Sequence, residues 1–265
     1  MIIRADIIKN KLDRLEEEIR YRKKLLISFS GGVDSSLLAK VAKDVLGYSN
    51  VICVFFDSDL ISRSEREMAR AFLKKNLIDY RVEELPILND ENFIKNTIKR
   101  CYICKKVSSR LLKKIAIEKG IRHIADGVNL SDLNDYRPGV IASNEEGIWH
   151  PYLDVGINKE DIREISRMIG LPLWDKPSSA CLASRIPFGE EIYKERISMI
   201  EEAEGFLKML GFEDVRVRNP GKTARIEARN EYFSGIIRYK EVILKKFKSL
   251  GFEDVFLDLN SRKRS

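Results

Sequence analysis

Residues 25–29, Leu-Leu-Ile-Ser-Phe, are a short apolar run that stops at Ser30-Gly31-Gly32, and apolar positions resume at helical spacing over residues 33–46 before Gly47. A buried strand, a two-glycine turn and a helix in immediate succession predict the first half of a parallel βαβ unit, because parallel strands must be joined by a crossover. The alternation then repeats. Residues 51–56 form a second apolar run, Ser62-Arg63-Ser64-Glu65 has capping-box spacing for a helix to about Lys75, and residues 80–85 supply the next strand. Residues 97–118 are predicted mostly helical, and residues 122–125 a short strand ahead of the polar stretch 126–139. Ile3, Ile7, Ile8, Leu12, Leu15 and Ile19 predict an amphipathic opening helix. The fold class expected is α/β, with a parallel sheet covered on both faces.

Asn158 is placed to cap a helix ending at Met168, with Gly170 and Pro172 beyond it, and residues 174–189 are expected to form a long loop. After the loop the pattern changes to a helix from about Glu190 to Leu210, strands near 215–218 and 224–228, a helix to Leu250 and a last strand near 255–259. Leu210-Gly211-Phe212-Glu213-Asp214-Val215 recurs as Leu250-Gly251-Phe252-Glu253-Asp254-Val255. In each copy a glycine can take the left-handed helix cap while the next Phe packs back on the helix. Two copies fall short of a repeat array. The expected organisation is a domain over residues 1–185 and a small α+β domain over residues 186–265.

Lys+Arg 48 against Asp+Glu 41 gives 48 − 41 = +7, which suits anionic partners, although dispersed helix faces, residues 20–24 and the 262–264 tail read equally as solvated surface. No apolar stretch is long enough to cross a bilayer and no hydrophobic signal core opens the chain, so a cytoplasmic location is expected. Four cysteines without a secretory signal argue against a disulfide framework and raise the question of metal or catalytic thiols.

Ser30-Gly31-Gly32-Val33-Asp34-Ser35-Ser36 lies at the carboxyl end of a strand, where parallel sheets bind ligands. Adjacent glycines let an anion approach the backbone and the helix N-terminus, and Ser30, Ser35 and Ser36 add hydroxyl donors. Asp34 would repel phosphate unless a cation stands between them, which points to Mg2+ bridging it to pyrophosphate oxygens. Neither G-x-x-x-x-G-K-[ST] nor G-x-G-x-x-G occurs. The motif instead resembles the SGGxDS pyrophosphate loop of the ATP pyrophosphatase (PP-loop) enzymes. That resemblance implies an adenine nucleotide alpha hydrolase-like domain in which ATP is cut between its α- and β-phosphates and an activated adenylate meets a sulfur, ammonia or amine nucleophile. It places Asp57 and Ser58 at the adenosine and Asp126 and Gly127 near the α-phosphate or ribose. Either pair is equally compatible with turn chemistry.

Cys101-Tyr102-Ile103-Cys104 is a C-x-x-C, and Cys181 comes 181 − 104 = 77 residues later. Three thiolates can hold a [4Fe-4S] cluster with one open iron able to bind hydrosulfide; zinc, with His123 or His150 as fourth ligand, and a redox disulfide are the alternatives. Cys53, inside an apolar run, reads as a small buried hydrophobe. The glycine loop, residues 126–139 and Ala180-Cys181-Leu182-Ala183-Ser184-Arg185 together resemble the LarE family of ATP-dependent pyridinium-3,5-biscarboxylic acid mononucleotide sulfurtransferases. The resemblance implies sulfur insertion into an adenylated pyridinium carboxylate during nickel-pincer nucleotide biosynthesis, with sulfide or another sulfur donor and a homo-oligomeric assembly. Two routes are implied: a cluster on Cys101, Cys104 and Cys181, which the three-cysteine set favours, or sacrifice of the Cys181 sulfur. Ser184 and Arg185 are implied at the substrate carboxylate or phosphate, and Glu204 and Glu227 match acidic positions of its pocket, although Glu204, in a helix of many charges, reads also as plain surface. Arg216 and Arg218 alternate on a strand and so share a face that suits a nucleotide phosphate, or else a solvated strand edge. The rival readings are a tRNA-thiolating relative, against which stands the lack of a recognisable appended RNA-binding module, an ammonia-using ligase, which leaves the cysteines unexplained, and a non-enzymatic ATP sensor.

Overall fold

The computed structural model describes residues 2–134, 137–177 and 180–262, with the side chains of Ile2 and Ile3 excluded. The expectations for the Ile3 side chain, for residues 135 and 136 of the polar stretch, for Ser178 and Ser179 of the long loop and for Lys263 and Arg264 of the tail therefore lie outside the described residues. The chain divides into two compact units, one of Met1–Ser58, Arg63–Ile87 and Cys101–Ser178, the other of Asp59–Ser62, Leu88–Arg100 and Ser179–Ser265. Among the described residues no helix is long and apolar enough to cross a membrane.

The first unit runs α1 (Ile2–Arg22), β1 (Leu25–Phe29), α2 (Val33–Leu46), β2 (Val51–Asp57), α3 (Arg63–Lys75) and β3 (Asp79–Glu84). After α4 (Glu91–Ile94), which belongs to the second unit, it continues with α5 (Arg100–Glu118), β4 (His123–Ala125), α6 (Pro138–Glu145), α7 (Pro151–Asp154) and α8 (Lys159–Met168). The four strands pair in parallel in the order β3-β2-β1-β4, with Ile27 opposite Cys53 on one side and Ala125 on the other. Six consecutive residues of β2 are buried, as a parallel strand covered on both faces requires. Helix α1 buries Ile8, Leu12, Leu15 and Ile19 as its spacing predicts, but Ile7 is exposed. Helix α8 opens on the expected Asn158, whose side chain accepts from the Asp161 N–H at 2.9 Å while Asp161 accepts from the Asn158 N–H at 3.0 Å.

The second unit adds α9 (Lys194–Met209), β5 (Arg216–Arg218), β6 (Thr223–Glu227), α10 (Asn230–Arg238), α11 (Lys240–Leu250) and β7 (Asp254–Asp258). Its sheet has the order β5-β6-β7, antiparallel then parallel. Three boundaries differ from expectation. Helix α5 starts at Arg100 and not near 97, because buried Asn96 adopts φ +50 and gives its amide to the carbonyls of Pro187 and Glu190 at 2.7 and 2.9 Å. Helix α9 starts at Lys194 and not near 190, since the Glu190 carboxylate is engaged by Arg196 and by the Gly221 N–H. The single helix expected up to Leu250 is two, broken at Tyr239, whose ring meets Phe212 edge-on at 6.3 Å.

The repeated hexapeptide performs the same task twice. Gly211 and Gly251 sit at φ +93 and +105, and the N–H groups of Phe212 and Phe252 both return to the helix, at 3.1 Å from the carbonyls of Leu207 and Phe247. The two Phe side chains are buried in one core with Leu207, Val217, Ile226 and Phe247. Gly251→Ala forces a left-handed backbone on an L side chain and is expected to cost about 1–3 kcal/mol, whereas Gly205→Ala, inside α9 with open space at its Cβ position, is expected to gain up to about 1 kcal/mol. Denaturant midpoints of the two variants check both signs.

Candidate active site

The strand order reverses between β1 and β4, so the loops leaving their carboxyl ends flank the crevice where open parallel sheets bind ligands. From β1 comes the glycine loop. Gly31 has φ +77, and a Cβ there would stand 2.7 Å from the Ala69 Cβ of α3. The hydroxyls of Ser30 and Ser35 lie 3.1 Å apart, the Gly32 N–H donates to Ser30 Oγ at 3.4 Å, and Ser35 Oγ donates to the Gly32 carbonyl at 3.1 Å. Ser36 Oγ is buried in the first turn of α2 with no hydrogen-bond partner among the described residues. An orphaned buried hydroxyl carries a penalty of about 1–3 kcal/mol that a ligand oxygen would relieve.

From β4 come Asp126 and Gly127. A Cβ on Gly127 would lie 3.0 Å from the Asp34 carbonyl carbon and the Ser35 nitrogen, so only a residue without a side chain lets the two loops meet this closely. Asp126 is buried and held by Lys105 Nζ at 2.7 Å and by His150 Nδ1 at 2.6 Å, while His150 Nε2 faces Ser143 Oγ at 3.4 Å. Burial pushes the Asp126 carboxyl up, but Lys105 and His150 outweigh it and bring its pKa to about 2. Both ring nitrogens of buried His150 are thus engaged within the first unit.

Asp34 carries its own cation. Lys159 Nζ lies 2.6 Å from each of its carboxylate oxygens, and the Tyr152 hydroxyl donates to its carbonyl at 2.8 Å. Burial raises the Asp34 pKa and Lys159 opposes the rise. Lys176 donates to the Gly31 carbonyl at 3.3 Å. Asp57, at the end of β2, is paired with Arg66 at 2.7 Å and with Arg70, and Ser58 beside it is buried. Lys105, Tyr152, Lys159 and Lys176 carry no recognisable motif in the sequence, and only the folding of α5, α7 and α8 brings the first three to the crevice.

Cys101 is exposed and Cys104 half-buried, one turn apart on α5 and therefore on one face, directly ahead of Lys105. Cys53 is fully buried in β2, with its thiol pushed well up by burial, in agreement with its reading as a small hydrophobe. In the second unit Cys181 is exposed at the head of the 3-10 turn Leu182–Arg185. That turn is anchored by the Leu182 N–H on the Leu60 carbonyl at 2.9 Å and by Arg100 Nη1 on the Ala183 carbonyl at 3.0 Å. Among the described residues no three His, Cys, Asp or Glu side chains are gathered to hold a metal ion.

Of the residues that the resemblance or the strand pattern leads one to expect at the substrate, Ser184, Arg185, Glu204, Arg218 and Glu227 are linked within the second unit. Buried Arg185 makes a two-point ion pair with buried Glu204, at 2.7 and 3.1 Å, and Glu204 also accepts from the Val217 N–H at 3.0 Å. Glu204 is thus no surface residue. Arg185 Nη1 donates to Ser184 Oγ at 3.0 Å, and Arg218 bridges the Ser184 carbonyl at 2.7 Å and Glu227 at 2.9 Å. Arg216, on the same face of β5, is half-buried with no ion pair among the described residues. Burial and the guanidiniums of Arg262, Arg185 and Arg218 lower its pKa to about 10. Among the described residues, Arg216 is thus a guanidinium crowded by three others and balanced by no ion pair.

The Asp126 arrangement has a pH signature. A carboxylate whose pKa falls to about 2 from an unfolded value near 3.9 contributes about 2 kcal/mol, complete above about pH 4 and lost as pH falls through about 2. Wild-type unfolding free energy should drop by about that amount more than that of Asp126→Asn between pH 5 and pH 2, as read from denaturant midpoints.

A family profile described as NAD synthase matches residues 5–112, which span the glycine loop and the Cys101/Cys104 turn. An uncharacterized protein of Synechocystis is 37% identical over 96% of this chain and 95% of its own length. Another from Methanocaldococcus jannaschii is 34% identical over 98% of both chains. The pyridinium-3,5-bisthiocarboxylic acid mononucleotide synthase of Lactiplantibacillus plantarum is 34% identical over 89% of this chain and 86% of its own length. With a glycine loop at the switch point of a parallel sheet and identity carried through both units, the chain belongs to the LarE family of the PP-loop superfamily.

Proposed function

We propose that this protein is an ATP-dependent sulfurtransferase that adenylates a pyridinium carboxylate mononucleotide and inserts sulfur into it, in nickel-pincer nucleotide biosynthesis. One observation carries the reading. The cysteine-bearing turn of α5 is tied to the nucleotide end of the sheet, because Lys105, next to Cys104, is paired with Asp126 at 2.7 Å, and Gly127 packs on the Asp34–Ser35 peptide. Thiols and glycine loop thus share one end of the first unit.

In this reading the glycine loop and the hydroxyls of Ser30, Ser35 and Ser36 receive the β- and γ-phosphates. Asp57 and Ser58 face the adenosine, and Asp126 and Gly127 the α-phosphate or ribose. A substrate carboxylate oxygen attacks the α-phosphorus and pyrophosphate departs along the loop. Sulfur then displaces AMP. Mg2+, held by Asp34, would neutralise the charge on the departing pyrophosphate. A [4Fe-4S] cluster held by Cys101, Cys104 and Cys181 would present an open iron able to carry sulfide. The accessibility of these three thiols, against the burial of Cys53, supports that donor set. Arg216 and Arg218 receive the substrate phosphate, and the Arg185–Glu204 pair fixes the Ser184 turn beside them. We place the enzyme in the cytoplasm as a homo-oligomer.

The test is anaerobic reconstitution with iron and sulfide, followed by Mössbauer spectroscopy and assay of AMP and pyrophosphate. Cys101→Ala, Cys104→Ala and Cys181→Ala should each lose the [4Fe-4S] signal while Cys53→Ala keeps it. A wild type that turns over without iron, and whose Cys181 loses its sulfur by mass spectrometry, would replace the cluster with the sacrificial route. For the substrate side, Arg216→Ala should weaken binding of the pyridinium mononucleotide by roughly 10- to 100-fold, the worth of a lost charge-assisted contact, as measured by calorimetry.

A further inference from the structure

The lysine on Asp34 answers a question that the glycine loop poses. A carboxylate in a phosphate nest needs a cation, and here one ammonium, Lys159 Nζ, spans both oxygens at 2.6 Å. The oxygen positions that a hard divalent cation would take are therefore already engaged. The two ends of the pair are anchored differently from their tips. The Asp34 backbone is held by the Tyr152 hydroxyl at 2.8 Å. The Lys159 backbone is held by its N–H on Ser131 Oγ at 3.1 Å and by the Asn158–Asp161 cap, which Lys11 braces on Asp161 at 2.6 Å. Between these anchors lies the flexible four-carbon stem of a lysine, with both charged side chains partly open to solvent. The ammonium can leave Asp34 without any movement of α2 or α8.

We infer that Lys159 is the resident counter-cation of Asp34 in the nucleotide-free protein and yields that carboxylate to Mg2+ only when the metal arrives with nucleotide, so that metal and ATP load together. The inference rests on the reading of the glycine loop as the Mg2+·ATP site. Its logic is an exchange of partners. Metal alone would have to expel the ammonium into solvent, whereas metal with nucleotide brings phosphate oxygens that replace the carboxylate as the partner of Lys159. Lys159 then acts as a positioning residue that couples two binding events.

Mn2+ is the probe, counted by electron paramagnetic resonance of the uncomplexed ion, with and without a non-hydrolysable ATP analogue. Without nucleotide, Lys159→Ala should bind Mn2+ roughly threefold or more tightly than wild type, the scale of a partly exposed ion pair. Lys159→Arg should behave as wild type, and Asp34→Asn should bind no Mn2+ without nucleotide. With the analogue present, wild type should bind Mn2+ at least as tightly as Lys159→Ala. Thermal melts establish that the variants are folded, and Lys159→Gln, which keeps most of the stem, serves if the alanine variant is not. Equal Mn2+ affinity of wild type and the lysine variants without nucleotide, in a protein that still binds Mn2+ with the analogue, overturns the inference and leaves the nucleotide site standing. Failure of wild type to bind the analogue at all overturns both.

Discussion

Strand β1 is hydrogen-bonded in parallel along both edges, to β2 and to β4, and its chain can leave only through the carboxyl edge of the sheet. The segment that leaves there must turn sharply, clear the helix packed nearby and present backbone to solvent. Ser30-Gly31-Gly32 does this because Gly31 can hold φ +77 and carries no Cβ to strike Ala69. The reversal of strand order between β1 and β4 then opens the crevice beside it, and the loop of Asp126 and Gly127 closes the other wall. The candidate site of the first unit is a consequence of that pairing more than of any single side chain.

Around the crevice, charge is arranged so that few buried ions lack a partner, which is the condition for keeping them ionised away from water. Asp126 lies between Lys105 and His150, Asp34 under Lys159, and Asp57 between Arg66 and Arg70. The second unit obeys the same rule with Arg185 on Glu204 and Arg218 on Glu227. Arg216 is the exception among these groups, and its lowered pKa is the result of burial and crowding by like charges. An external anion at Arg216 is part of the proposed reading of the second unit, and the lack of an ion pair there among the described residues is what supports it.

The order of strands and helices is legible in the sequence because burial on both faces makes β1 and β2 continuous apolar runs while the crossovers keep a helical period. The repeated Leu-Gly-Phe segment is legible for a related reason: the left-handed cap admits glycine at little cost, and the Phe after it must return to the helix it ends. The boundaries that miss do so where side chains from distant segments compete with the local pattern. Asn96 delays α5 by serving carbonyls some ninety residues away, and Glu190 is drawn out of the α9 pattern by Arg196 and Gly221. Tyr239 interrupts a continuous helical period because its ring has a place against Phe212.

The residues of the glycine loop and its position after a buried strand were determined by the sequence alone, since both depend on contacts within a few residues. So were the spacing of Cys101 and Cys104 on one helical face and the burial of Cys53. Which charges meet was decided by the tertiary structure. Lys159 stands 125 residues from Asp34, Lys105 21 from Asp126, and Glu204 19 from Arg185. Nothing in the local pattern distinguishes those lysines and that glutamate from solvated ones on a helix face. An ion pair is selected by distance in space and by the loss of water around it, and neither quantity exists until the helices have docked.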